Sequence, residues 1–329
     1  MNLRIIKAGV LDTIQDLGRY GAQHQGINPG GAMDKFAAQV ANCLVGNDPQ
    51  TAVIELHFPP SAFFFEQPAL IAISGADFSA NINGEEVECL QPVIISRYSI
   101  LQFHGIRKGA RAYLAIHGGL DIKPWLNSCS TNLKAGAGGH KGRALQKDDE
   151  IGLLSNNYFT DVLGKLEFLV LPWKTDNIWL NKKPEEIFVI KGPEFDRLDK
   201  ISSERFFYQS FSLSSHSDRM GYQLKGEPLR MTEEEEMLSA AVGFGTVQLL
   251  PDGQVTVLMA DHQTTGGYPR LAHVITAHHS CLAQLQPGDA IHFRDTDQAT
   301  AEQLMVLQQQ HLLQLQNACK FRLDKLLLS

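Results

Sequence analysis

The stretch Ala69-Leu-Ile-Ala-Ile-Ser74 is a short, almost wholly apolar run, and runs of this kind decide the fold class. It has the length of a buried strand and is far too short to span a membrane. Seven more runs rich in β-branched and aromatic residues follow along the chain: Pro92–Ser96, Ala112–His117, Lys165–Leu171, Glu186–Ile190, Thr246–Leu250, Val255–Ala260 and Ala272–Thr276. Turn-forming pairs such as Asn83-Gly84 and Asp252-Gly253 lie between these runs. Many short strands with few helices predict a mainly β protein of barrels or sandwiches.

Two segments have a helical pattern. Residues Met33–Val45 carry apolar side chains three and four positions apart and are followed by Gly46, which predicts a helix. Residues Asp297–Leu328 are rich in Gln and Leu and contain neither Gly nor Pro, which predicts a C-terminal helix. The apolar stripe of this second helix is expected to cover its own domain rather than to bind a partner.

The composition is that of a globular protein with an acidic balance. Of the 329 residues, 43% are hydrophobic and 20% are charged, and the formal net charge is −7. This excludes a uniform basic surface for nucleic acid or anionic lipid. The N-terminus lacks the apolar core of a secretory signal. The five cysteines form no CxxC pair, which is typical of a reducing compartment. We therefore expect a soluble cytoplasmic protein with no nucleic-acid or membrane partner.

Two short internal sequence repeats, called echoes below, suggest two related domains. The segments Arg19–Gly26 and Arg219–Gly226 share the pattern R-x-G-x-Q-x-x-G, and Ala144–Ile151 resembles Gln284–Ile291. Their common order predicts a first domain over residues 1–158, a second over 159–296 and a helical tail over 297–329. In related domains the two R-x-G-x-Q segments are expected to occupy equivalent places, each arginine near an acid, Asp16 or Asp218.

Four polar, glycine-rich stretches are candidates for chemistry. Glycine lets the backbone approach a ligand, and the arginine fork matches carboxylate or phosphate. The alternative is that these stretches are turns and that their Asp–Arg pairs are structural. The stretches are Gln15–Gly21 with its continuation Pro29–Asp34, then Ser130–Arg143, His216–Tyr222 and Asp261–Arg270. The last is the strongest candidate, because it is highly polar and directly follows an apolar strand.

Several familiar signatures are missing from the sequence. It contains no G-x-x-x-x-G-K-[ST] stretch, so no P-loop nucleotide site is predicted. Histidines and cysteines have no metal-ligand spacing, so no metal is expected. There is also no Met-Lys-Met segment of the kind that carries covalent biotin.

Taken in order, five blocks resemble the signatures of the allophanate hydrolase subunit 2 family, also known as the biotin-dependent carboxyltransferase-domain family. The blocks are Asp12–Gly21, Gly31–Asp34, Ser74–Asp77, Ser217–Tyr222 and Gln263–Pro269. The resemblance implies two related cyclophilin-like β-barrel domains. The chain departs from the family at five positions, among them His262, where the family has arginine; the others are His117, Asn132, Ala137 and His140.

The family includes the C subunit of bacterial 5-oxoprolinase, the carboxyltransferase domain of urea carboxylase, and antagonists of a sporulation-kinase inhibitor. The resemblance thus implies first a subunit of an ATP-dependent 5-oxoprolinase, which opens 5-oxoproline to L-glutamate together with A and B subunits that complete the ATP site. A biotin-dependent carboxyltransferase acting on urea or a related small amide is the second possibility. A non-enzymatic regulator that binds a B-subunit-like protein is the third.

On the first possibility, the polar stretches supply the candidate site residues. Acid–base or orienting carboxylates are expected from Asp34, Asp218 and Asp261. Substrate-binding groups are expected from Arg19, Arg143, Arg219, Gln263, Thr264, Tyr268 and Arg270.

Overall fold

The computed structural model describes residues 2–154, 159–176, 186–233 and 237–328. In this part of the chain the protein is mainly β, as predicted, and all eight predicted strands and both predicted helices form. The chain divides into two compact units. The first comprises Met1–Arg19, Asp34–Leu180 and Gln309–Ser329, and the second comprises Tyr20–Met33 and Asn181–Gln308.

Among its described residues, the first unit contains two six-stranded sheets, two helices and the later part of the C-terminal helix described below. Its strands are β1 Asn2–Lys7, β2 Thr13–Gln15, β3 Val53–His57, β4 Ala62–Phe65, β5 Ala69–Asp77, β6 Ala80–Ile82, β7 Glu85–Glu86, β8 Val93–Ile95, β9 Ile100–Phe103, β10 Lys108–Ile116, β11 Glu150–Gly152 and β12 Phe168–Val170. Its helices are α1 Lys35–Leu44 and α2 Phe159–Leu163. The sheet orders are β11-β1-β4-β9-β6-β7 and β12-β8-β5-β10-β3-β2. Strand β1 illustrates the period of two, because Leu3 and Ile5 are fully buried between partly exposed neighbours.

The second unit is built on a closed seven-stranded barrel. Its strands are β13 Glu186–Lys191, β14 Phe211–Leu213, β15 Gly221–Lys225, β16 Ala240–Ala241, β17 Thr246–Leu249, β18 Val255–Leu258, β19 Thr265–Gly266, β20 Arg270–Val274 and β21 Ala290–Asp295. Its helices are α3 Lys200–Tyr208 and α4 His279–Ala283, with short 3₁₀ turns at Gln23–Gln25, Phe195–Arg197 and Thr276–His278. The barrel order is β13-β20-β17-β18-β15-β14-β21, and β16 and β19 form a separate two-stranded ribbon.

Aromatic side chains fill the core of the second unit. The rings of Phe206 and Phe293 stack with centroids 4.8 Å apart, and Phe211 packs against Phe293 at 5.4 Å. Met33, from the short N-terminal segment of this unit, is fully buried in the same core. Each such side chain removed from water stabilises the fold by about 2 kcal/mol.

Helix α5, Gln298–Leu328, is the predicted C-terminal helix, and its residues from Gln309 onward belong to the first unit. There Leu312, Cys319 and Leu323 are buried. Leu323 lies so close to Gly46, after α1, that a Cβ at Gly46 would be 2.7 Å from its Cδ2 atom. The apolar stripe therefore packs on the first unit. The helix is shared between two units, which differs from the separate tail expected over residues 297–329.

The division into units also differs from the boundary expected at residue 158. Strand β12 belongs to the first unit, because Phe168 pairs with Ile95 and Val170 with Val93 of β8. Residues 155–158, where the boundary was placed, lie outside the described residues.

The two internal echoes have different outcomes. The segment Arg219–Gly226 contains strand β15, whereas Gly21–Gly26 contains only a 3₁₀ turn, so the two R-x-G-x-Q segments are not equivalent. This expectation was wrong because a short shared pattern does not fix which residues pair in a sheet.

The second echo forms the same turn in both units. In the first unit the carboxylate of Asp149 accepts from the N–H of Gln146 at 2.8 Å, and in the second unit Asp289 accepts from Gln286 at 2.8 Å. The residue before each aspartate has a positive φ, 68° at Asp148 and 93° at Gly288. Each turn leads into a strand, β11 or β21.

Candidate functional site

Arg219 and Asp261 meet at one end of the barrel because they flank paired strands. Arg219 lies just before β15 and Asp261 just after β18, and these strands are antiparallel neighbours. The N–H of Asp261 donates to the carbonyl of Arg219 at 2.8 Å. The side chains also pair, with Nε donating to Oδ2 at 2.8 Å and Nη2 to Oδ1 at 3.1 Å. Two such bonds make the strong, oriented form of an arginine–carboxylate pair.

The guanidinium of Arg219 has a further partner in the glycine-rich stretch before α1. Nη2 donates to the carbonyl of Gly31 at 2.7 Å. Gly31 has φ 94°, a conformation that favours glycine. Arg219 is only 6% exposed, whereas the side chain of Asp261 keeps 19% of its surface open to solvent. The carboxylate is therefore the member of the pair that a ligand can reach.

Two glutamine side chains, one on β17 and one in the loop after β18, contact each other. Nε2 of Gln263 donates to Oε1 of Gln248 at 3.4 Å, and Nε2 of Gln248 donates to the carbonyl of Tyr268 at 3.5 Å. Gln248 is 1% exposed, so its amide group is buried against the loop that contains the other two residues. Sequence analysis predicted Gln263 and Tyr268 as ligand-binding residues but did not identify Gln248.

Next to the glutamines, Thr246 and His273 face each other across the β17–β20 pair. Oγ1 of Thr246 lies 3.2 Å from Nδ1 of His273 and accepts from the N–H of Gly243 at 3.1 Å. Desolvation by the surrounding protein, with a smaller contribution from His262, lowers the pKa of His273. The imidazole is therefore neutral at pH 7 and offers one donor and one acceptor.

His262 and Thr264 fix the loop through their contacts. His262 is buried with Nδ1 2.6 Å from the carbonyl of Gln263. The carbonyl of Thr264 accepts from the N–H of Val242 at 3.3 Å and extends the β16–β19 ribbon. The side chain of Tyr268 is 43% exposed and borders this surface.

Asp218 is an exposed turn residue. Its Oδ1 accepts from the N–H groups of Met220 at 2.7 Å and Gly221 at 3.2 Å. This is the local side-chain-to-backbone bonding that aspartate makes in turns. The carboxylate that pairs with Arg219 is Asp261, not its sequence neighbour Asp218.

Arg270, the register partner of Gln248 on β20, pairs with Glu194. Its Nε donates at 3.0 Å and its Nη2 at 2.8 Å to the two carboxylate oxygens. Burial opposes ionisation of Glu194, but the bonds from Arg270 outweigh it and hold the pKa of Glu194 below its usual value. Both hydrogen bonds of the Arg270 guanidinium thus go to the carboxylate of Glu194.

In the first unit, Arg19 is buried under Trp125. Its guanidinium carbon lies 4.6 Å from the centroid of the Trp125 ring, a cation–π contact, and Nη2 donates to the carbonyl of Ser130. These contacts tie Arg19 to the glycine-rich stretch Ser130–Arg143.

Asp16 organises the same stretch from the other side. Its carboxylate accepts from the hydroxyls of Ser128 at 2.7 Å and Ser130 at 2.5 Å. It also accepts from the N–H groups of Cys129 at 2.6 Å and Gly18 at 2.8 Å. Asp16 thus holds two of the polar stretches together.

Arg143 belongs to a cluster of basic side chains around Asp149. Nη1 and Nη2 of Arg143 each donate to Asp149 at 2.7 Å, Lys141 donates at 3.1 Å, and Nε2 of His140 lies 3.3 Å away. The Arg143 fork, together with the N–H of Gln146, holds the pKa of Asp149 well below its usual value despite desolvation. Arg143 therefore anchors the C-terminal end of the stretch Ser130–Arg143 to Asp149, a carboxylate of the same unit.

Close packing explains three glycines of the stretch Ser130–Arg143. A Cβ at Gly138 would collide with the carbonyl of Ser130, one at Gly139 with the hydroxyl of Thr131, and one at Gly142 with the carbonyl of Gly136. Close backbone packing thus requires these glycines without any ligand.

Asp34 caps helix α1. It is fully buried, and its Oδ1 accepts from the N–H of Ala37 at 2.9 Å. The N–H of Asp34 donates to the hydroxyl of Tyr113 at 2.7 Å, and that hydroxyl donates to Glu55 at 2.8 Å. The geometry is that of a helix N-cap.

Asp12 is a second buried carboxylate of the first unit. It accepts from the N–H groups of His57 at 2.9 Å and Ser61 at 2.5 Å and so holds the connection between β3 and β4. Desolvation raises the pKa of Asp12 to about 6, although these backbone bonds oppose the rise.

The structure thus pairs Arg219 with Asp261, places Gln263 and Thr264 in the loop that follows, and brings Gln263 and the carbonyl of Tyr268 to Gln248. The other five candidates have the local or structural partners described above. Gln248, Thr246 and His273 were not predicted as site residues. The sequence signal that could have identified Thr246 and Gln248 is the alternation in β17, where these two polar residues alternate with the apolar residues Val247 and Leu249.

Neither a metal centre nor a membrane span was found in the part of the chain that the structure describes. No group of three or more His, Cys, Asp or Glu side chains there has the arrangement of a metal site. No helix among the described residues is long and apolar enough to cross a membrane.

Comparison with known proteins gives a consistent result. The family model described as carboxyltransferase domain, subdomain A and B, matches residues 25–295. The chain is 37% identical over 291 residues to the C subunit of the 5-oxoprolinase of Escherichia coli, covering 88% of this chain and 90% of that protein. It is 34% identical over 281 residues to the C subunit of the 5-oxoprolinase of Haemophilus influenzae, covering 85% and 87%.

Among solved structures, the chain is similar to urea amidolyase of Kluyveromyces lactis. The TM-score is 0.84 at 26% identity, and the match covers 95% of this chain. This chain spans 20% of the length of that larger protein. The similarity supports the mainly β architecture with its barrel and C-terminal helix.

Proposed function

The chain belongs to the family of the carboxyltransferase domain, subdomain A and B, and we propose that it is the C subunit of a 5-oxoprolinase. One observation carries the proposal: the 37% identity to the C subunit of the Escherichia coli 5-oxoprolinase extends over 88% of this chain and 90% of that protein. Under this proposal the chain works in the cytoplasm with A and B subunits, and the complex opens 5-oxoproline to L-glutamate at the cost of ATP.

ATP has a clear chemical purpose in such a reaction. A lactam is a stabilised amide, and its nitrogen is a poor leaving group. Transfer of the γ-phosphoryl group to the lactam oxygen gives an imidate phosphate and ADP. Water then adds to the ring carbon, the C–N bond breaks to give an acyl phosphate, and a second water releases phosphate and glutamate. Because this chain has no P-loop, the A and B subunits supply or complete the ATP site.

The group of Arg219, Asp261, Gln263, Thr264 and Tyr268 is the part of this chain that we assign to the substrate. Arg219 orients Asp261, whose partly exposed carboxylate accepts a proton or a hydrogen bond from the ligand. Gln263, Thr264 and Tyr268 supply neighbouring hydrogen-bonding groups. Arg143 and Arg270 are held by Asp149 and Glu194, so they are not carried into this assignment.

The test is a reconstitution. The chain is co-expressed with its A and B partners, and glutamate formed from 5-oxoproline is measured with and without ATP, and with this chain omitted. The proposal expects ATP-dependent glutamate that disappears on omission. Asp261→Asn is expected to lower turnover at least about tenfold, whereas Arg294→Ala is the matched control, because Arg294 pairs with Glu186 on the exposed side of the barrel unit. A well-folded complex that forms no glutamate contradicts the proposal.

Carboxyl transfer to urea or a related small amide is a second candidate function. The observation that favours it is the TM-score of 0.84 to urea amidolyase of Kluyveromyces lactis. The biotin would come from another chain, because this one has no attachment segment. Consumption of urea with a carboxylated biotin carrier, without glutamate formation from 5-oxoproline, would select this function.

A further inference from the structure

A cavity of the first unit lies beside the hairpin of β6 and β7. Its volume is about 350 Å³, which is in the range of small-molecule sites. One side is formed by the hairpin and the other by the segment that joins β9 to β10. The residues on which the argument depends are Asn81, Gly84 and Glu86 on the first side and His104, Gly105 and Arg107 on the second.

Two glycines border open space in this cavity. A Cβ at Gly84 or at Gly105 would have no heavy atom outside its neighbouring residues within 4 Å. Gly84 follows Asn83 in the hairpin turn, where φ is positive at both residues, so the turn explains this glycine. Gly105 is not in the left-handed region, and its backbone therefore accepts a residue with a side chain.

Asn81 is the buried polar group of the cavity. It is the register partner of Gln102 on β9, but Gln102 is exposed whereas Asn81 is only 4% exposed. Its Oδ1 accepts from the N–H of Gly84 at 3.4 Å, and its Nδ2 contacts Nε2 of His104. A carboxamide and an imidazole in the lining suit a ligand that forms hydrogen bonds rather than an apolar one.

The charged side chains of the lining have opposite signs. Nη2 of Arg107 donates to Oε2 of Glu86 at 2.9 Å, and Nη1 donates to Oε1. Both side chains are about half exposed, 52% and 56%. Oδ2 of Asp77 lies 4.0 Å from Nη1, so two carboxylates face one guanidinium. An exposed pair of this kind adds little to stability, and its members can exchange each other for a ligand.

A zwitterion can replace both members of this pair at once. Its ammonium group pairs with Glu86 and its carboxylate with Arg107, so neither side chain loses its countercharge. An anion without an ammonium group would instead meet two carboxylates. We propose that the cavity binds a small amino acid, with its ammonium group on Glu86 and its carboxylate on Arg107. L-Glutamate as the natural occupant rests on the proposed function, in which it is the product.

The test is calorimetric titration of the full chain with amino acids. Glycine and L-glutamate carry both charged groups, whereas glycinamide lacks the carboxylate and N-acetylglycine lacks the ammonium group. We expect the two amino acids to bind with a Kd below about 10 mM and each analogue to bind at least about tenfold more weakly than glycine. Glycine that does not bind, or an analogue that binds as tightly, overturns the proposal. L-Glutamate that does not bind overturns its assignment as the occupant.

Variants locate the binding. Glu86→Gln and Arg107→Gln are each expected to weaken glycine binding at least about tenfold, because one ion pair with the ligand is lost. Arg294→Gln is the matched control, because Arg294 and Glu186 of the second unit form a pair that is also about half exposed, 49% and 48%. Gly105→Leu should weaken binding by filling the open space while it leaves Glu86 and Arg107 in place. Folded Glu86, Arg107 and Gly105 variants that bind glycine like the wild type would overturn the proposal.

A second readout shows whether the ligand enters this cavity. The NMR signals of the His104 imidazole should shift on addition of glycine to the wild type and stay unchanged in Gly105→Leu. Saturable binding that leaves the His104 signals unmoved would place the ligand elsewhere and overturn the site. Both measurements use the chain without its partners, so their outcome is independent of whether the reconstituted complex forms glutamate.

Discussion

Arg219 and Asp261 are joined twice, through their side chains and through a backbone hydrogen bond from the N–H of Asp261 to the carbonyl of Arg219. The backbone bond holds the two residues close enough for their side chains to pair. The ion pair is therefore oriented by the sheet, and only the carboxylate side remains open to a ligand.

Breaking this pair is expected to destabilise the second unit. In Asp261→Asn, the amide NH₂ faces a donor of Arg219, and the guanidinium loses its countercharge while it stays buried. The free energy of unfolding should fall by about 3 kcal/mol, measured by urea denaturation. In the control Arg294→Ala, the partner Glu186 is half exposed, and the loss should be about 0.5 kcal/mol. Equal losses in both variants would mean that the Arg219 pair is only a surface contact.

Asp34 is expected to act as a helix cap rather than as an acid or base. Replacement by Ala removes the acceptor for the N–H of Ala37 and should cost about 1 kcal/mol of unfolding free energy. Asparagine is as good a cap, so Asp34→Asn should keep both stability and turnover of the reconstituted complex. A stable Asn variant with strongly reduced kcat would instead assign a proton-transfer role to the carboxylate.

The stability of the first unit is expected to depend on pH through Asp12. Its pKa is raised to about 6 in the folded state, compared with about 4 in an unfolded chain. The folded state thus binds the proton more tightly. The resulting stabilisation, about 3 kcal/mol, is fully present below pH 4 and is lost as the pH rises through 6.

Comparison with Asp12→Asn isolates this contribution. The difference in unfolding free energy between wild type and variant should change by about 3 kcal/mol between pH 4 and pH 7. The side-chain ¹³C signal of Asp12 should titrate with a midpoint near 6. A difference that is constant with pH, or a midpoint below 4, would contradict the prediction. The contribution of Asp149 to stability depends on pH in the opposite direction. Because the pKa of Asp149 is lowered in the folded state, its stabilisation is present above about pH 4 and is lost as the pH falls below that value.

The contact between Gly46 and Leu323 predicts non-additive mutations. Gly46→Ala places a Cβ against Leu323 and forces alanine to adopt a positive φ, so it should cost about 2 kcal/mol. Leu323→Ala should cost about 3 kcal/mol as a buried leucine. The double variant should lose less than the sum, because the smaller side chain relieves the clash. Full additivity in urea denaturation would show that α5 does not hold Gly46 in place.

Sequence patterns predicted the strands well because each strand has its own local signature. The run Ala69–Ser74 lies within β5, and the asparagine–glycine pair at Asn83-Gly84 forms the turn between β6 and β7 with positive φ at both residues. Such signals depend on neighbouring residues alone. For the same reason the shared turn before β11 and β21 was visible as an echo in the sequence.

The pairing of charged residues could not be predicted in this way. Arg219 has Asp218 beside it in the sequence, but the antiparallel pairing of β15 with β18 places Asp261 against it. Arg270 finds Glu194, which is distant in the chain. Gln248 was missed because a single polar residue in a strand is normally solvated, and only the covering loop makes it buried. Partners fixed by strand register need the fold before they can be identified.

Synthesis of the protein places a constraint on the second unit. Its segment Tyr20–Met33 emerges from the ribosome early, but Arg219, which binds the carbonyl of Gly31, follows 188 residues later. At about 5–20 residues per second, this delay is roughly 10–40 s. During that interval Met33 has no barrel core to enter, so its apolar side chain stays exposed on the nascent chain. For the same reason a single cut of the gene cannot yield both units intact.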